Sequence, residues 1–488
     1  PTAGASESVP ARTVEVDTDL FKAVFTTRGA RLESFRLKKF RETAAADSPG
    51  YEMVWTAAGG ALPLGAIVLS GAGAIDDAGV AYATDAPARI EVKSGRRSTV
   101  AFSGRTRDGV AITKTFGFSA HSYVFDIDVQ AHASSGAVDG LGLAMNQSLA
   151  AHAGYYDVPE IQGDAGGKVI VEAEKALTKG VAPVSGPIAY AGFGDRYFLA
   201  VFMPASPASG TLEMSFNGSE ARAGIVFPQV AELKSAVYMG PKQIDVLEAI
   251  NPLLTKSIDF GWSGILALTF LRALKLFYLV APNYGVDIIL VTVAVRIVFL
   301  PLSVRSQRSM LRMQRLQPQI QRIREKFKDD NERVQKEMVD LYKRNHVNPL
   351  GGCAPMLLQL PIFIGLYEAL LNSVELRHAP FVAWIKDLSA PDCLPIAGIP
   401  KLPFLPCGGI PVLVLMMGAS TFLQQWMSPQ SPDPNQQRMM MLTPIIFTVM
   451  FVNFPAGLSL YYFASNLLGI IQQFFLNREF KQLTPVTA

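Results

Sequence analysis

The sequence predicts a two-part membrane protein: an all-β front domain of antiparallel sandwich type, then an α-helical core of five transmembrane spans with a cytoplasmic helical hairpin. Three observations predict it. Up to about residue 250, apolar and polar residues alternate and Gly, Asp and Ser punctuate the runs, as half-buried strands require. Beyond it lie nearly all the long apolar stretches, several near the roughly 20 residues that cross a bilayer. A strongly basic loop follows the first span, and such loops face the cytoplasm.

Composition agrees with this split. Hydrophobic residues make up 49% of the 488 and charged ones 17%, the latter below the roughly 25% of soluble domains. Three cysteines are too few for a disulfide scaffold. No P-loop marks a nucleotide site, and no paired carboxylates mark a sugar-processing enzyme in the front domain. The chain therefore reads as non-enzymatic, with no cofactor. Residues 1–12, from PTAGASESVPART, read as a polar linker and not as a signal peptide.

In the front domain (1–250) the runs TVEVDTDLFKAVFTT, RIEVKSGRRSTVAFSG, VAITKTFGFS and SYVFDIDVQAH read as strands. His121, His132 and His152 are scattered among them and read as structural or surface residues. The segment 251–283 holds FGWSGILALTFLRALKLFYLVA, apolar but with Arg272 and Lys275 about one turn apart. It reads as a helix lying in the interface, where two cations reach water easily. That places the front domain outside.

The core (284–477) starts with YGVDIILVTVAVRIVFLPL, which carries Arg296 near its middle. A guanidinium there costs on the order of 2.5–3.5 kcal/mol on insertion scales and does not shed its charge. It needs polar company or water at that depth. Thr292, four residues earlier, shares its face. Asp287, nine residues away, lies on the opposite face near the membrane boundary. Residues 303–346 hold twelve Lys/Arg against six Asp/Glu, so this loop is cytoplasmic. It reads as a hairpin (304–347) of two helices, about 304–327 and 332–343, with Pro318 as a candidate kink. Four further spans follow, at about 350–371, 410–427, 439–454 and 458–476, and a short inner tail, 478–488. The outer loop contains Cys393 and Cys407; residues alone leave open a disulfide or two free thiols. Polar residues inside apolar helices, Thr292, Arg296, Gln359, Tyr461, Tyr462 and Asn466 among them, mark either interhelical hydrogen bonds or a wet cavity. Arg296, with no acid in the spans to match it, points to a water-filled groove.

The runs AVRIVFLPLSVRSQRSMLRMQRLQPQIQ, VNPLGGCAPMLLQLPIFIGLYEALLNSVELRHAPF, WIKDLS and FPAGLSLYYFASNLLGIIQQ closely resemble the bacterial YidC branch of the YidC/Oxa/Alb membrane-protein insertases. DTDLFKAVFTTRGARLESFRLKKF resembles the large periplasmic domain of Gram-negative members, a β-supersandwich. The resemblance implies an inner-membrane, multi-pass insertase and chaperone for nascent membrane proteins, with its N-terminal domain in the periplasm and one further anchor ahead of Pro1. It puts the family's groove arginine on Arg296, its groove threonine on Thr292 and its functional tyrosine on Tyr462; Gln359 and Asn466 are groove candidates as polar residues inside apolar spans. Spans 350–371 and 439–454 fall on the helices that guide substrate, so Met356, Leu360, Phe363, Met450 and Phe454 are candidates for the slide. Implied partners are nascent chains, the Sec translocon, the ribosome or signal-recognition machinery, and anionic lipids, with no specific nucleic acid. Two departures stand out: the outer cysteine pair, and a tail too short for the basic ribosome-binding extension of some members. The same polar cavity also suits a small-solute or ion transporter; transporters commonly carry internal repeats, and the sequence shows none.

Overall fold

The computed structural model describes residues 11–56, 59–71, 73–134, 137–148, 159–205, 209–328, 330–345, 354–396, 408–428 and 434–482. They form two compact units, Pro1–Asp259 and Phe260–Ala488.

The first unit is β-structure in two sheets. A five-stranded sheet runs, across its width, Gly50–Glu52, Arg31–Arg41, Phe21–Thr26, Thr13–Asp17 and Arg89–Glu91. A fourteen-stranded sheet is centred on Val184–Gly194, Phe198–Pro204, Glu232–Pro241 and Val124–His132. The alternation read from sequence is real: Phe125, Ile127, Val129 and Ala131 of Val124–His132 point inward and their neighbours do not. The two sheets meet through phenylalanines. Phe25 lies 4.7 Å from Phe116 and Phe35 stacks on Phe125 at 5.9 Å, centroid separations at which aromatic pairs add to simple burial. One pairing departs from the antiparallel expectation: Thr13–Asp17 pairs in parallel with Arg89–Glu91. Parallel neighbours need a long crossover, and the intervening strands and loops supply it.

The inward face of Ala111–Ser119 also carries Lys114, fully buried. Its Nζ lies 2.5 Å from Asp77 Oδ2 and donates to the carbonyls of Gly29 (2.8 Å) and Leu64 (2.9 Å). Arg31 pairs with Asp77 at 3.0 Å and also with Asp76, Arg222 reaches Asp76 at 3.0 Å, and the Tyr82 hydroxyl donates to Asp77. Burial pulls the Lys114 ammonium below its usual pKa, with Asp77 opposing that shift.

Two short helices lie in this unit, α1 (Glu174–Leu177) and α2 (Ile244–Ile250). The second unit opens with α3 (Gly264–Tyr278), which buries Ala267, Phe270, Leu271 and Leu274 on one face, the i, i+3, i+4, i+7 spacing of an amphipathic helix. Gly365 lets it approach the fourth of the following helices closely, since a Cβ there would stand 2.6 Å from Leu266 Cβ. Lys275 Nζ pairs with Glu375 at 3.1 Å.

Next come α4 (Tyr284–Arg315), α5 (Gln317–Lys326), α6 (Asn331–Arg344), α7 (Ala354–Leu371), α8 (Val412–Met427), α9 (Pro434–Phe451) and α10 (Ala456–Gln482). Asn283 starts α4 by accepting from the amides of Gly285 and Val286. The first hairpin helix was expected from about 304. Instead α4 runs unbroken past Pro301 to Arg315, and the break falls at Leu316. The residue before a proline resists helical geometry, whereas proline itself suits the first turn; Pro318 occupies that first turn of α5. Leu316 and Ile320 are buried together, with Met313, Met338, Leu341 and Tyr342 against them, and hold the hairpin shut.

Among the described residues α4 is the one helix long and apolar enough, by length and composition, to cross a membrane; 359–371, 412–427 and 441–451 are shorter apolar helical stretches. At about 1.5 Å per residue α4 reaches well beyond a roughly 30 Å hydrocarbon core. Outside the helices, Asp392 accepts from the Leu413 and Val414 amides and from Trp384 Nε1. It thereby caps the N-terminus of α8 from a distant loop.

Candidate functional site

Arg296 sits midway along α4, half-buried, where its helix meets α10 and α7. Its Nε donates to Ser465 Oγ at 3.2 Å; its Nη2 donates to Ser465 O at 2.7 Å and to Ser465 Oγ at 2.8 Å. Among the described residues no carboxylate lies within ion-pair distance of it, and its Nη1 makes no hydrogen bond. A guanidinium has five N–H donors, so one edge is held and the other is unspent.

Around this group lies a cavity of about 40 Å³, lined by Thr292, Val295, Arg296, Phe299, Gln359, Tyr461 and Ser465 with a few neighbours. That is room for water, which needs upward of roughly 10–15 Å³ and polar partners. Across the cavity from Arg296, Gln359 Nε2 of α7 donates to the Tyr461 hydroxyl of α10 at 2.6 Å. Thr292 lines the wall, but its hydroxyl donates back to Ile288 O at 2.6 Å.

The structure therefore brings together Arg296, Thr292 and Gln359 of the expected groove residues, and adds Tyr461 and Ser465. Tyr462 and Asn466 are placed elsewhere. Adjacent residues of a helix lie about 100° apart, so Tyr462 turns into an aromatic cluster, 5.0 Å from Phe451 and 5.4 Å from Phe363. Asn466 donates to Thr421 Oγ1 (2.8 Å) and Ser420 Oγ (3.0 Å), tying α10 to α8. Ser465 was missed by sequence reasoning, although it stands four residues after Tyr461 and so shares its face.

Of the slide candidates, Leu360 and Met450 are exposed, and Phe363 and Phe454 are half-buried beside Tyr367 and Phe451. The Met356 side chain lies outside the described residues. Cys393 is disulfide-bonded; Cys407 lies outside the described residues. Asp287 is fully buried in the first turn of α4, and both of its carboxylate oxygens are without a hydrogen bond among the described residues.

A β-sandwich unit joined to a helical unit that keeps, among the described residues, a cation without a carboxylate partner between apolar helices describes an integral membrane protein with a separate folded domain. Family models agree in both halves. Residues 276–483 match the family described as 60Kd inner membrane protein, and residues 13–272 match the YidC periplasmic domain. The membrane protein insertase YidC of Geotalea daltonii is 35% identical over 96% of this chain and 87% of its own. That of Syntrophus aciditrophicus is 37% identical over 96% and 85%. A solved YidC insertase structure with its first transmembrane domain resolved aligns with 96% of this chain and 94% of its own at 17% identity, TM-score 0.42. The chain belongs to the YidC family of membrane protein insertases.

Proposed function

We propose that this protein inserts nascent proteins into the bacterial inner membrane and assists their folding, without covalent chemistry. The observation that carries this is the half-satisfied guanidinium of Arg296, facing a polar cavity among apolar helices with no carboxylate partner among the described residues. The polar lead of a client enters the space between α4, α7 and α10, and an acidic side chain in it meets Arg296. At intermediate dielectric such a pair is worth about 4 kcal/mol before desolvation, enough to recruit and weak enough to release. A polypeptide does not fit in 40 Å³, so the helices separate as the client enters, and the cavity becomes a hydrated groove. The client's apolar segment then leaves along the face of α7 and α9, past Leu360, Phe363, Met450 and Phe454, into lipid, where its burial drives the step.

In this reading α4, α7, α8, α9 and α10 are the five spans, α3 lies in the interface, and the β unit is periplasmic, where Cys393 pairs with Cys407. The basic hairpin of α5 and α6 faces the cytoplasm and meets anionic lipid or the ribosome and signal-recognition machinery; insertion runs with or without the Sec translocon. The test is Arg296→Ala in cells depleted of their own insertase. Loss of growth and of client insertion is expected; normal insertion of every client rejects an essential groove charge. Arg296→Lys retaining function shows that charge, more than bidentate geometry, is what the groove supplies.

A further inference from the structure

The donors of Arg296 are not spent at random. Every hydrogen bond it makes among the described residues goes to Ser465, through both its hydroxyl and its carbonyl, and these occupy the Nε–Nη2 edge. One turn further along α10 is Gly469, on the same face. A Cβ at Gly469 would stand 2.4 Å from Gln424 Nε2 of α8 and 3.3 Å from Arg296 Nη2. The first distance is a clash, and the second is tighter than ordinary contact. Glycine here is what lets the Gln424 amide and the guanidinium come in over the α10 backbone. The Gln424 amide makes no hydrogen bond among the described residues, and it is half-buried.

We propose that Ser465 and Gly469 are the positioning residues of Arg296, and that Gln424 is a second client-binding group beside it. Ser465 grips one edge of the guanidinium and turns Nη1 outward. With Nε and Nη2 already engaged, a side-on, two-bond approach by a carboxylate is blocked, and the acidic side chain of a client is met end-on at Nη1. Gln424 offers an amide N–H to its second oxygen. The site takes one aspartate or glutamate side chain at a time. This rests on the reading of Arg296 given above.

The experiment uses the full-length protein in depleted cells and a pair of clients identical except for Asp or Asn in the polar lead. The readout is the ratio of acidic to neutral client inserted, with insertase abundance measured alongside. Ser465→Ala is expected to lower that ratio about tenfold, as the loss of hydrogen bonds to a charged group implies. Ser465→Thr, which keeps the hydroxyl, is expected to preserve it, and Gly469→Ala to lower it as Ser465→Ala does. A Ser465→Ala ratio equal to wild type, in cells where Arg296→Ala does shift the ratio, overturns the positioning role and leaves the groove charge standing. Equal loss of both clients together with lower abundance also overturns it, because that is what a packing role alone produces. Arg296→Ala with an unchanged ratio overturns the underlying reading and this one with it.

Discussion

Among the cations of this protein that have left bulk water, two have been treated in opposite ways. Lys114, in the β unit, has all three ammonium N–H groups taken up by Asp77, Gly29 and Leu64. Arg31, Asp76, Arg222 and Tyr82 extend that network. Arg296, in the helical unit, has among the described residues one serine, no acid, and an edge left over. Burying a charge is costly in both places. The first site recovers the cost by closing every bond, which fixes the structure and leaves nothing to offer. The second recovers only part of it, and on the function proposed above what it leaves unsatisfied is a standing affinity for a carboxylate from outside. Degree of satisfaction, more than burial, separates the structural charge from the one proposed to be functional.

The largest effect is expected where the closed network is broken. Asp77→Ala leaves Lys114 without its carboxylate and Arg31 with only Asp76. Removing one member of a buried ion pair costs roughly 3–5 kcal/mol, so the β unit should unfold at markedly lower urea concentration. A change under about 1 kcal/mol would mean that water reaches Lys114 and that the two cations differ less than their geometry says.

A third cation sharpens the contrast. Lys242 is also fully buried, but its Nζ donates to neutral groups, Gln162 Oε1 at 3.1 Å and Ser257 O at 2.9 Å. Burial pulls its pKa from 10.5 down to about 8, with Asp195, Glu160 and Asp259 opposing. Below pH 8 it is charged in folded and unfolded chains alike, and the fold carries the full cost. Between pH 8 and 10.5 the unfolded chain binds more protons, so stability rises with pH, by about 3 kcal/mol in all. Lys242→Met should abolish that rise and raise stability at neutral pH. Urea midpoints of the two proteins at neutral pH and at about pH 10 check both statements; a wild-type midpoint flat across that range would show the ammonium already relieved by solvent.

How much of this was legible in the sequence depends on how local the signal is. The strands were legible because alternation is written residue by residue, as in Val124–His132. Arg296 was legible because a charge inside an apolar run stands out without any partner. The extent of α4 was misjudged because the basic residues after 302 change the solvent the helix sits in, not its backbone. Lys114 carried a readable sign, since Ile112, Phe116 and Phe118 share its face, but its acid lies 37 residues upstream, in a different part of the unit. Ser465 is 169 residues from Arg296, and no periodicity links two helices so far apart. The choice between Tyr461 and Tyr462 turns on one step of helical rotation, which packing decides: Phe363 and Phe451 claim the second ring and leave the first to the cavity.

The smallest expected effect concerns a charge of the opposite sign. Asp287 is fully buried with neither oxygen bonded among the described residues, so by the criterion drawn from Lys114 and Arg296 it ought to be functional. Its position argues otherwise: it lies nine residues before Arg296 on α4, hence on the opposite face. An orphaned buried polar group costs about 1–3 kcal/mol, and an apolar residue of similar shape avoids that cost. Asp287→Leu should therefore raise the thermal stability of the helical unit by on the order of 1–2 kcal/mol and leave client insertion in depleted cells at the wild-type rate. If insertion falls while stability rises, an unsatisfied charge marks function in this helix whichever face it occupies, and Asp287 joins Arg296 as a working group. If neither changes, Asp287 is already served by solvent, and the criterion holds only for Arg296.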